Sequence, residues 1–386
     1  MSKRLKVGVL FGGRSAEHEV SLRSAAAVVA ALDRKKYDVI PIKIGRDGSW
    51  QLPAAREHAF LEGVAGSEPR PTGLLADPTA SRLLVREPSH SDVPASQATW
   101  GPQPELGKLD VVFPVLHGTY GEDGTVQGFL ELTGIPYVGA GVVASAVSMD
   151  KALMKSLFRE RELPVLPWKV ILRHEWERAP DQLDQLVSEI EATLSYPIFV
   201  KPANMGSSVG VSKVKKREDL APGLREAFRY DRKVLAEQGV DAREIEVSVL
   251  GNDEPKASLP GEIVPAGEFY DYQAKYVNDS ELLIPAPLDA ETTRRAQELA
   301  IESFRAVDAA GMARADLFLS RSNGELFVNE INTIPGFTSI SMYPKLWEAS
   351  GVPVPELVDR LIALALERRS QKTRQETTYS SPKNEK

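Results

Sequence analysis

Arg314–Ala315–Asp316 is followed, fourteen residues after the aspartate, by Glu330–Ile331–Asn332–Thr333. Between them lie two apolar runs, Leu317–Phe318–Leu319 and Leu326–Phe327–Val328, separated by Ser320–Arg321–Ser322–Asn323–Gly324, a hairpin-type turn signal. A turn centred near Asn323 sets Asp316 opposite Glu330 and Arg314 opposite Asn332. Side chains alternate faces along a strand, so this register leaves all four on one face. Two carboxylates and an amide at one end of a sheet face make an all-oxygen cluster. That is the donor chemistry Mg²⁺ selects, with substrate phosphates completing the shell. The competing reading is a solvated hairpin face with a chance ion pair, and the rest of the chain weighs against it.

Other segments carry chemistry of the same kind. Lys201-Pro ends a predicted strand, and the following Gly206–Gly210 loop holds two glycines and two serines. Such loops offer backbone N–H groups and hydroxyls to anions. The loop is neither a Walker A motif nor a dinucleotide fingerprint, and on its own it also fits a simple β-turn. Gly12–Gly13 follows the first strand but lacks Gly-x-Gly-x-x-Gly. Glu17, just after that turn, is placed to meet a ligand ammonium or to serve as a first-turn helix acid. His117 follows another strand end, where ligands gather in open α/β sheets; a structural histidine is the alternative. Lys275 and Tyr276 lie in a long segment with little periodicity, 268–287, read either as a lid or as a surface loop.

The elements that must position these residues are legible as periodicities. Leu5–Phe11, a helix from about Val20 to Leu32 with Ser15 or a neighbour as cap, and Asp38–Ile44 open an α/β domain. Residues 62–107 are rich in Pro, Ser, Gly and Ala, with one possible strand at Leu83–Val85, and read as an irregular surface elaboration. Regularity returns with Asp110–Leu116 and a helix over Thr125–Thr133. Further on, helices are predicted from Ser148 to about Arg161, over 180–194, 218–230 and 291–309, and strands at Trp168–Leu172, Tyr196–Lys201, Val211–Val214, Val234–Gln238, Glu244–Leu250 and Glu262–Pro265. Pro355–Glu367 reads as a final helix. From Arg368 to Lys386 the chain is polar with no apolar period, and disorder is expected.

The 386 residues suit two or three domains, with 42% hydrophobic and 26% charged residues supporting ordinary cores. A net charge of −7 and the lack of a long basic stretch argue against a nucleic-acid partner. The absence of cysteine excludes disulfides, thiolate metal sites and a cysteine nucleophile. No window approaches the roughly 20 apolar residues of a membrane span, and the chain reads as soluble and cytoplasmic.

Six segments together, in order, resemble the D-alanine–D-alanine ligases of the ATP-grasp superfamily. They are Phe11-Gly-Gly-Arg-Ser-Ala-Glu-His-Glu-Val-Ser-Leu22, Leu116-His-Gly-Thr-Tyr-Gly-Glu-Asp-Gly124, Ser148-Met-Asp-Lys151, Lys201-Pro-Ala-Asn-Met-Gly-Ser-Ser-Val-Gly210, Phe269-Tyr-Asp-Tyr-Gln-Ala-Lys-Tyr276 and Asn329-Glu-Ile-Asn-Thr-Ile-Pro-Gly-Phe-Thr-Ser339. The resemblance runs from about residue 5 to 365. It implies an α/β chain, α+β in its ATP-grasp part: a Rossmann-like N-terminal domain (1–139, with the 62–107 insertion), a central ATP-grasp subdomain (140–238), a C-terminal one (239–367) and a tail (368–386).

The resemblance also implies a chemistry and a set of roles. ATP phosphorylates one D-alanine, and the amine of a second attacks the acyl phosphate. Asp316, Glu330 and Asn332 would bind two Mg²⁺ or Mn²⁺ ions. Lys151, Lys201, Ser207 and Ser208 would hold ATP phosphates. Glu237, Val240, Glu244, Phe269 and Asn329 would complete the nucleotide site, with Gln238 departing from the lysine some members carry. Arg314 and the backbone of Gly336 would stabilise the tetrahedral intermediate. Glu17, with His117 nearby, would meet the first substrate's ammonium. Lys275, Ser341 and Met342 would hold the second carboxylate, and Tyr276 would link the lid to Ser207 and Glu17. A homodimer is the family expectation. Alternatives are a D-alanine–D-lactate ligase, disfavoured by Tyr276, and a catalytically silent nucleotide-binding protein, disfavoured by the presence of Lys151, Lys201, Arg314, Asp316 and Glu330. A nicotinamide dehydrogenase based on the first domain fits less well still.

Overall fold

The structure, a computed structural model, describes residues 3–53, 70–74, 76, 78, 83–86, 100–102, 108–178, 183–265 and 281–376. These form three sheets. In the first, Leu5–Gly12 runs parallel to Tyr37–Ile44 on one side and to the edge strand Val111–Val115 on the other. Both faces of this strand are buried, which is why it reads as a continuous apolar run. Val7, Val9 and Phe11 meet the His18–Ala31 helix on one face, and Leu10 meets Ile40, Ile42 and Leu130 on the other.

Apart from the strand expected at Leu83–Val85, which is seen as Leu83–Arg86, the segment expected to be irregular instead adds further strands to this sheet. Arg70–Leu74, Leu83–Arg86 and Trp100–Pro102 follow Trp50–Leu52 as successive antiparallel neighbours. The signal was weak because these strands are short and carry Pro71 and Pro102. Pairing and the burial of Thr72, Leu83 and Val85 hold them in place. Proline is tolerated most readily where no further strand follows. Helix boundaries also differ. The N-cap position of the first helix is Glu17, the polar neighbour rather than Ser15 itself; the Ser15 hydroxyl accepts from the Glu17 N–H at 3.2 Å and donates to the His117 carbonyl. The predicted 148–161 helix begins at Lys151, after a separate helix Val142–Met149, with the Asp150 carboxylate capping the second one.

The second sheet has four antiparallel strands in the order Ser212–Val214, Ile198–Pro202, Lys233–Gln238, Trp168–Leu172. The helices Leu183–Glu191 and Leu220–Ala227 cover it. The third sheet runs Glu281–Leu283, Gly261–Val264, Ala242–Gly251, Gly311–Ser320, Leu326–Asn332, with Lys256–Ala257 beside Ala242–Gly251. The helix Ala290–Ala306 packs on it through Ala296, Leu299, Ala300 and Phe304. Phe269, Lys275 and Tyr276 lie outside the described residues.

The end of the chain departs most from expectation. Val354–Thr373 is one helix, running six residues beyond the Glu367 end that its apolar pattern suggested. Leu357, Val358, Leu361, Ile362 and Ala365 enter the same core as Val7, Val9 and Phe11. Beyond Glu367 the contacts are polar, and Gln371 donates to Asp253 at 3.0 Å. The Arg368 guanidinium donates to the carbonyls of Gly139 and Tyr137 and lies 4.4 Å over the Tyr137 ring. Lys372 pairs with Glu131 at 2.6 Å. A polar face that docks through ion pairs and cation–π contacts leaves no apolar period to read. Arg368→Ala removes the two hydrogen bonds and the ring contact, and is expected to lower stability by about 1–3 kcal/mol. Arg374→Ala, at the exposed helix end, should leave the thermal midpoint unchanged. Equal midpoints for the two variants would show that the apolar face alone holds this helix.

Candidate active site

The hairpin of the third sheet pairs Leu319 with Leu326, Phe318 with Phe327 and Leu317 with Val328. It then shifts by one residue, so that Asp316 faces Glu330, Ala315 faces Ile331 and Arg314 faces Asn332. Asn329 is the extra residue of a β-bulge, and two residues there oppose Asp316 alone. The sequence demands this. Leu326, Val328 and Ile331 all enter one core, and strict alternation cannot put positions 328 and 331 on the same face. On the next strand Glu246 pairs with Asp316 and Ser248 with Arg314. Glu246, Asp316 and Glu330 therefore form a row of carboxylates across three strands.

Cations from the chain thread this row. Arg314 donates from Nε and Nη2 to both Asp316 oxygens at 2.7 Å each, and its Nε is 2.9 Å from Glu246 Oε2. Asn332 Nδ2 donates to Asp316 Oδ2 at 3.0 Å. Lys151 Nζ is 3.7 Å from Glu330 Oε2 and donates to the Met205 carbonyl at 2.8 Å. Among the described residues no three carboxylate, imidazole or thiol groups close into a ready-made metal cage. The hairpin presents two carboxylates and an amide on one face. That partial set of hard donors fits Mg²⁺, which keeps much of its shell for phosphate oxygens and water.

The cleft is also lined by residues from loops of the first and second sheets. Ser207 donates from its hydroxyl to Glu17 Oε1, joining the serine-rich loop to the Gly12–Gly13 turn. Both Ser207 and Ser208 adopt left-handed backbone conformations. Gly118 is also left-handed, and a Cβ there would stand 2.7 Å from Glu17 Oε2, so glycine is required for the carboxylate to fit.

His117 is 5% exposed, and both its ring nitrogens are engaged. Nδ1 is 3.0 Å from the Ile334 carbonyl, which can only accept, so Nδ1 carries the proton. Nε2 then accepts from the Ser24 hydroxyl at 3.0 Å, and Ser24 accepts from the Phe337 N–H at 3.1 Å. Burial pushes the His117 pKa down, consistent with a neutral ring. His117 thus acts on the 333–338 loop, including Gly336, rather than presenting a free nitrogen to the cleft. The Ser341 hydroxyl accepts from the Thr338 N–H at 3.0 Å and ties the end of that loop to the helix Met342–Ala349.

Glu17, His117, Lys151, Ser207, Arg314, Glu330, Asn332, Gly336, Ser341 and Met342 line one cleft. Asp316 adjoins the cleft through Arg314 and Asn332, and the other described candidates, Lys201, Ser208, Glu237, Val240, Glu244 and Asn329, are not among its lining residues. Lys201 and Glu237 are on adjacent strands of the second sheet and form an ion pair. Val240 follows Glu237 in the connector, Glu244 is the third residue of the next strand, opposite Phe318, and Asn329 is the bulge residue. Ser208 stands in the loop next to Ser207. Four residues with contacts here were not singled out from sequence: Ser24, Glu122, Lys155 and Glu246. Glu246 had a readable signal, since Glu244 and Glu246 share a strand face.

Glu122 lines the cleft 3.8 Å from His117 and accepts from the Gly118 N–H at 2.8 Å. Burial first, and then the Glu17 carboxylate, push its pKa up to about 8. A carboxyl raised on folding contributes stability below its unfolded value, near 4.5, and loses that contribution as pH rises towards 8. Glu122→Gln cannot ionise. Its thermal midpoint relative to wild type should therefore climb between about pH 5 and about pH 8. A constant difference across that range would show that Glu122 is ionised throughout.

Two family descriptions match the chain, "D-ala D-ala ligase N-terminus" over residues 6–140 and "D-ala D-ala ligase C-terminus" over 157–363. A D-alanine–D-alanine ligase of Natranaerobius thermophilus is 49% identical over 379 residues, spanning 98% of this chain and 99% of the relative. One from Heliobacterium modesticaldum is 52% identical over 372 residues, 96% of this chain and 97% of the relative. Among solved structures, the D-alanine–D-alanine ligase of Coxiella burnetii superposes with a TM-score of 0.80 at 37% identity, over 97% of each chain. The VanG D-Ala:D-Ser ligase of Enterococcus faecalis superposes with a TM-score of 0.82 at 36% identity, over 94% of this chain and all of that one.

Proposed function

This chain belongs to the D-alanine–D-alanine ligase family and has its ATP-grasp fold, and from that premise we infer the reaction and the part each residue takes. The enzyme joins two D-alanines into D-alanyl-D-alanine for peptidoglycan synthesis, with ATP as co-substrate. A carboxylate oxygen of the first D-alanine attacks the γ-phosphorus and ADP departs, leaving D-alanyl phosphate. The free amine of the second D-alanine attacks the acyl carbon, a C–N bond forms and inorganic phosphate leaves.

The observation that carries the assignment of roles is the meeting of Arg314, Glu330 and Asn332 with Glu17 and Ser207 around one cleft. Glu17 meets the ammonium of the first D-alanine, held in place by the Ser207 hydroxyl. His117 positions the Gly336 loop through Ile334 and Ser24. Arg314 and the Gly336 N–H stabilise the oxyanion of the tetrahedral intermediate. Lys151, Lys201, Ser207 and Ser208 bind phosphates, and Glu237, Val240, Glu244, Phe269 and Asn329 bind the rest of the nucleotide. Ser341, Met342 and Lys275 hold the second D-alanine, and Tyr276 closes over it. Asp316, Glu330 and Asn332 hold two Mg²⁺ or Mn²⁺ ions. When bound, these neutralise charge on the transferring phosphoryl group.

We further propose domain boundaries near residues 139 and 238, a cytoplasmic location and a homodimeric assembly. No helix among the described residues is long and apolar enough to cross a membrane.

The test of the reaction is a competition between equal D-alanine and D-lactate with ATP, products counted by mass. D-alanyl-D-alanine should dominate at neutral pH, and substantial depsipeptide would overturn the dipeptide assignment. For the metal ligands, Glu330→Gln should reduce turnover by at least about a hundredfold while leaving the ligand-free thermal midpoint in place. Near-normal turnover in that variant would remove the hairpin from the mechanism.

A further inference from the structure

Lys155 is 1% exposed, on the helix Lys151–Glu160, and no role assigned above uses it. A lysine taken out of water needs an anionic partner. Its partner is Glu237, 2% exposed, whose Oε1 it contacts; Lys201 contacts Oε2 of the same carboxylate. Lys201 and Glu237 come together because their strands pair Lys201 with Leu235, which puts residue 237 on the same face two positions along. Lys155 reaches the carboxylate from the helix. One buried anion is thus shared by two cations, of which Lys201, 13% exposed, is nearer to solvent.

This sharing matters for what Lys201 can do. An ammonium held by a buried carboxylate must leave it to bind a phosphate. Leaving a buried carboxylate with no partner is strongly unfavourable. Lys155 has no route out of the interior and stays on Glu237 whatever Lys201 does. We propose that Lys155 is a positioning residue, the fixed counter-ion of Glu237 that allows Lys201 to pass from that carboxylate to a nucleotide phosphate. Burial alone would raise the Glu237 pKa, but the two lysines more than offset it and hold it below the usual carboxylate range, so an ionised group competes for both cations. The inference rests on the reading of Lys201 as a phosphate-binding residue.

The test is calorimetric binding of adenosine and of ADP, with Mg²⁺ present, to wild type, Lys155→Met, Glu237→Gln, Lys155→Met/Glu237→Gln and Lys201→Met. The ratio of the two Kd values isolates the gain from the diphosphate, which a merely structural change would leave alone. In Lys155→Met the gain should fall at least about tenfold, because Lys201 is now the sole cation on a buried anion. In the double variant, with the competing charge gone, it should return to the wild-type level. An unchanged gain in Lys155→Met, or a double variant as weak as the single one, overturns the proposal. Should Lys155→Met fail to fold, Glu237→Gln decides: its gain should equal or exceed that of wild type, and a smaller gain overturns the proposal. Lys201→Met separates the two layers. An unchanged gain there removes both the phosphate role of Lys201 and this proposal, while a loss there with no loss in Lys155→Met removes this proposal alone.

Discussion

A strand can send alternate residues to two faces, and the Leu326–Asn332 strand has to do more than that. Leu326, Val328 and Ile331 belong to the core beneath the sheet, while Glu330 and Asn332 belong to the cleft above it. One extra residue at Asn329 reconciles the two requirements by shifting the register between Asp316 and Leu317. With the strands paired in the register of the turn end, Asp316 would face Asn329, and the faces of Glu330 and Asn332 would be exchanged with those of their neighbours. The acidic row, the reach of Arg314 and the start of the Thr333–Phe337 loop all depend on that shift.

Charge is the second constraint, because the site collects several acids in a partly dry cleft. Arg314 answers Asp316 and Glu246, Lys151 faces Glu330, Lys233 pairs with Asp150, and Lys155 and Lys201 share Glu237. Each pairing except that of Arg314 with Asp316 joins different elements. These pairs tie neighbouring strands to one another, and through Lys151 and Lys155 they tie the helix Lys151–Glu160 to strands of the third and second sheets. Buried pairs of this kind add little net stability over an apolar contact, yet losing one partner is costly. The arrangement is better understood as permitting the charges the chemistry needs than as holding the fold together.

Much of this was readable from the chain. The Asp316 and Glu330 opposition followed from the turn residues and the apolar runs, although the bulge that produces it did not. The spacing of Val328 and Ile331 was the available sign. The parallel strand Leu5–Gly12 was legible because both its faces are buried. Short edge strands such as Trp100–Pro102 were not, since pairing rather than pattern specifies them. The contacts of Lys155 and Ser24 were invisible for a different reason: each depends on two elements far apart in sequence meeting at a polar atom. Arg368 escaped notice because a docked cation and a solvated one look alike in a polar stretch.

The helix Val354–Thr373 lies on the sheet formed by the first residues of the chain, and its apolar side chains share a core with Val7, Val9 and Phe11. During synthesis that sheet is made early, but one of its faces lacks part of its cover until residue 365 has emerged. The contacts that close it span more than three hundred residues, the kind of long-range pairing that is slow to form. The sheet built on Leu5–Gly12 therefore keeps an incomplete core until residues 354–365 have been made. Quality control in the cell meets this protein as a nascent polypeptide in which the Leu5–Gly12 sheet waits, partly uncovered, for a helix made about 340 residues later.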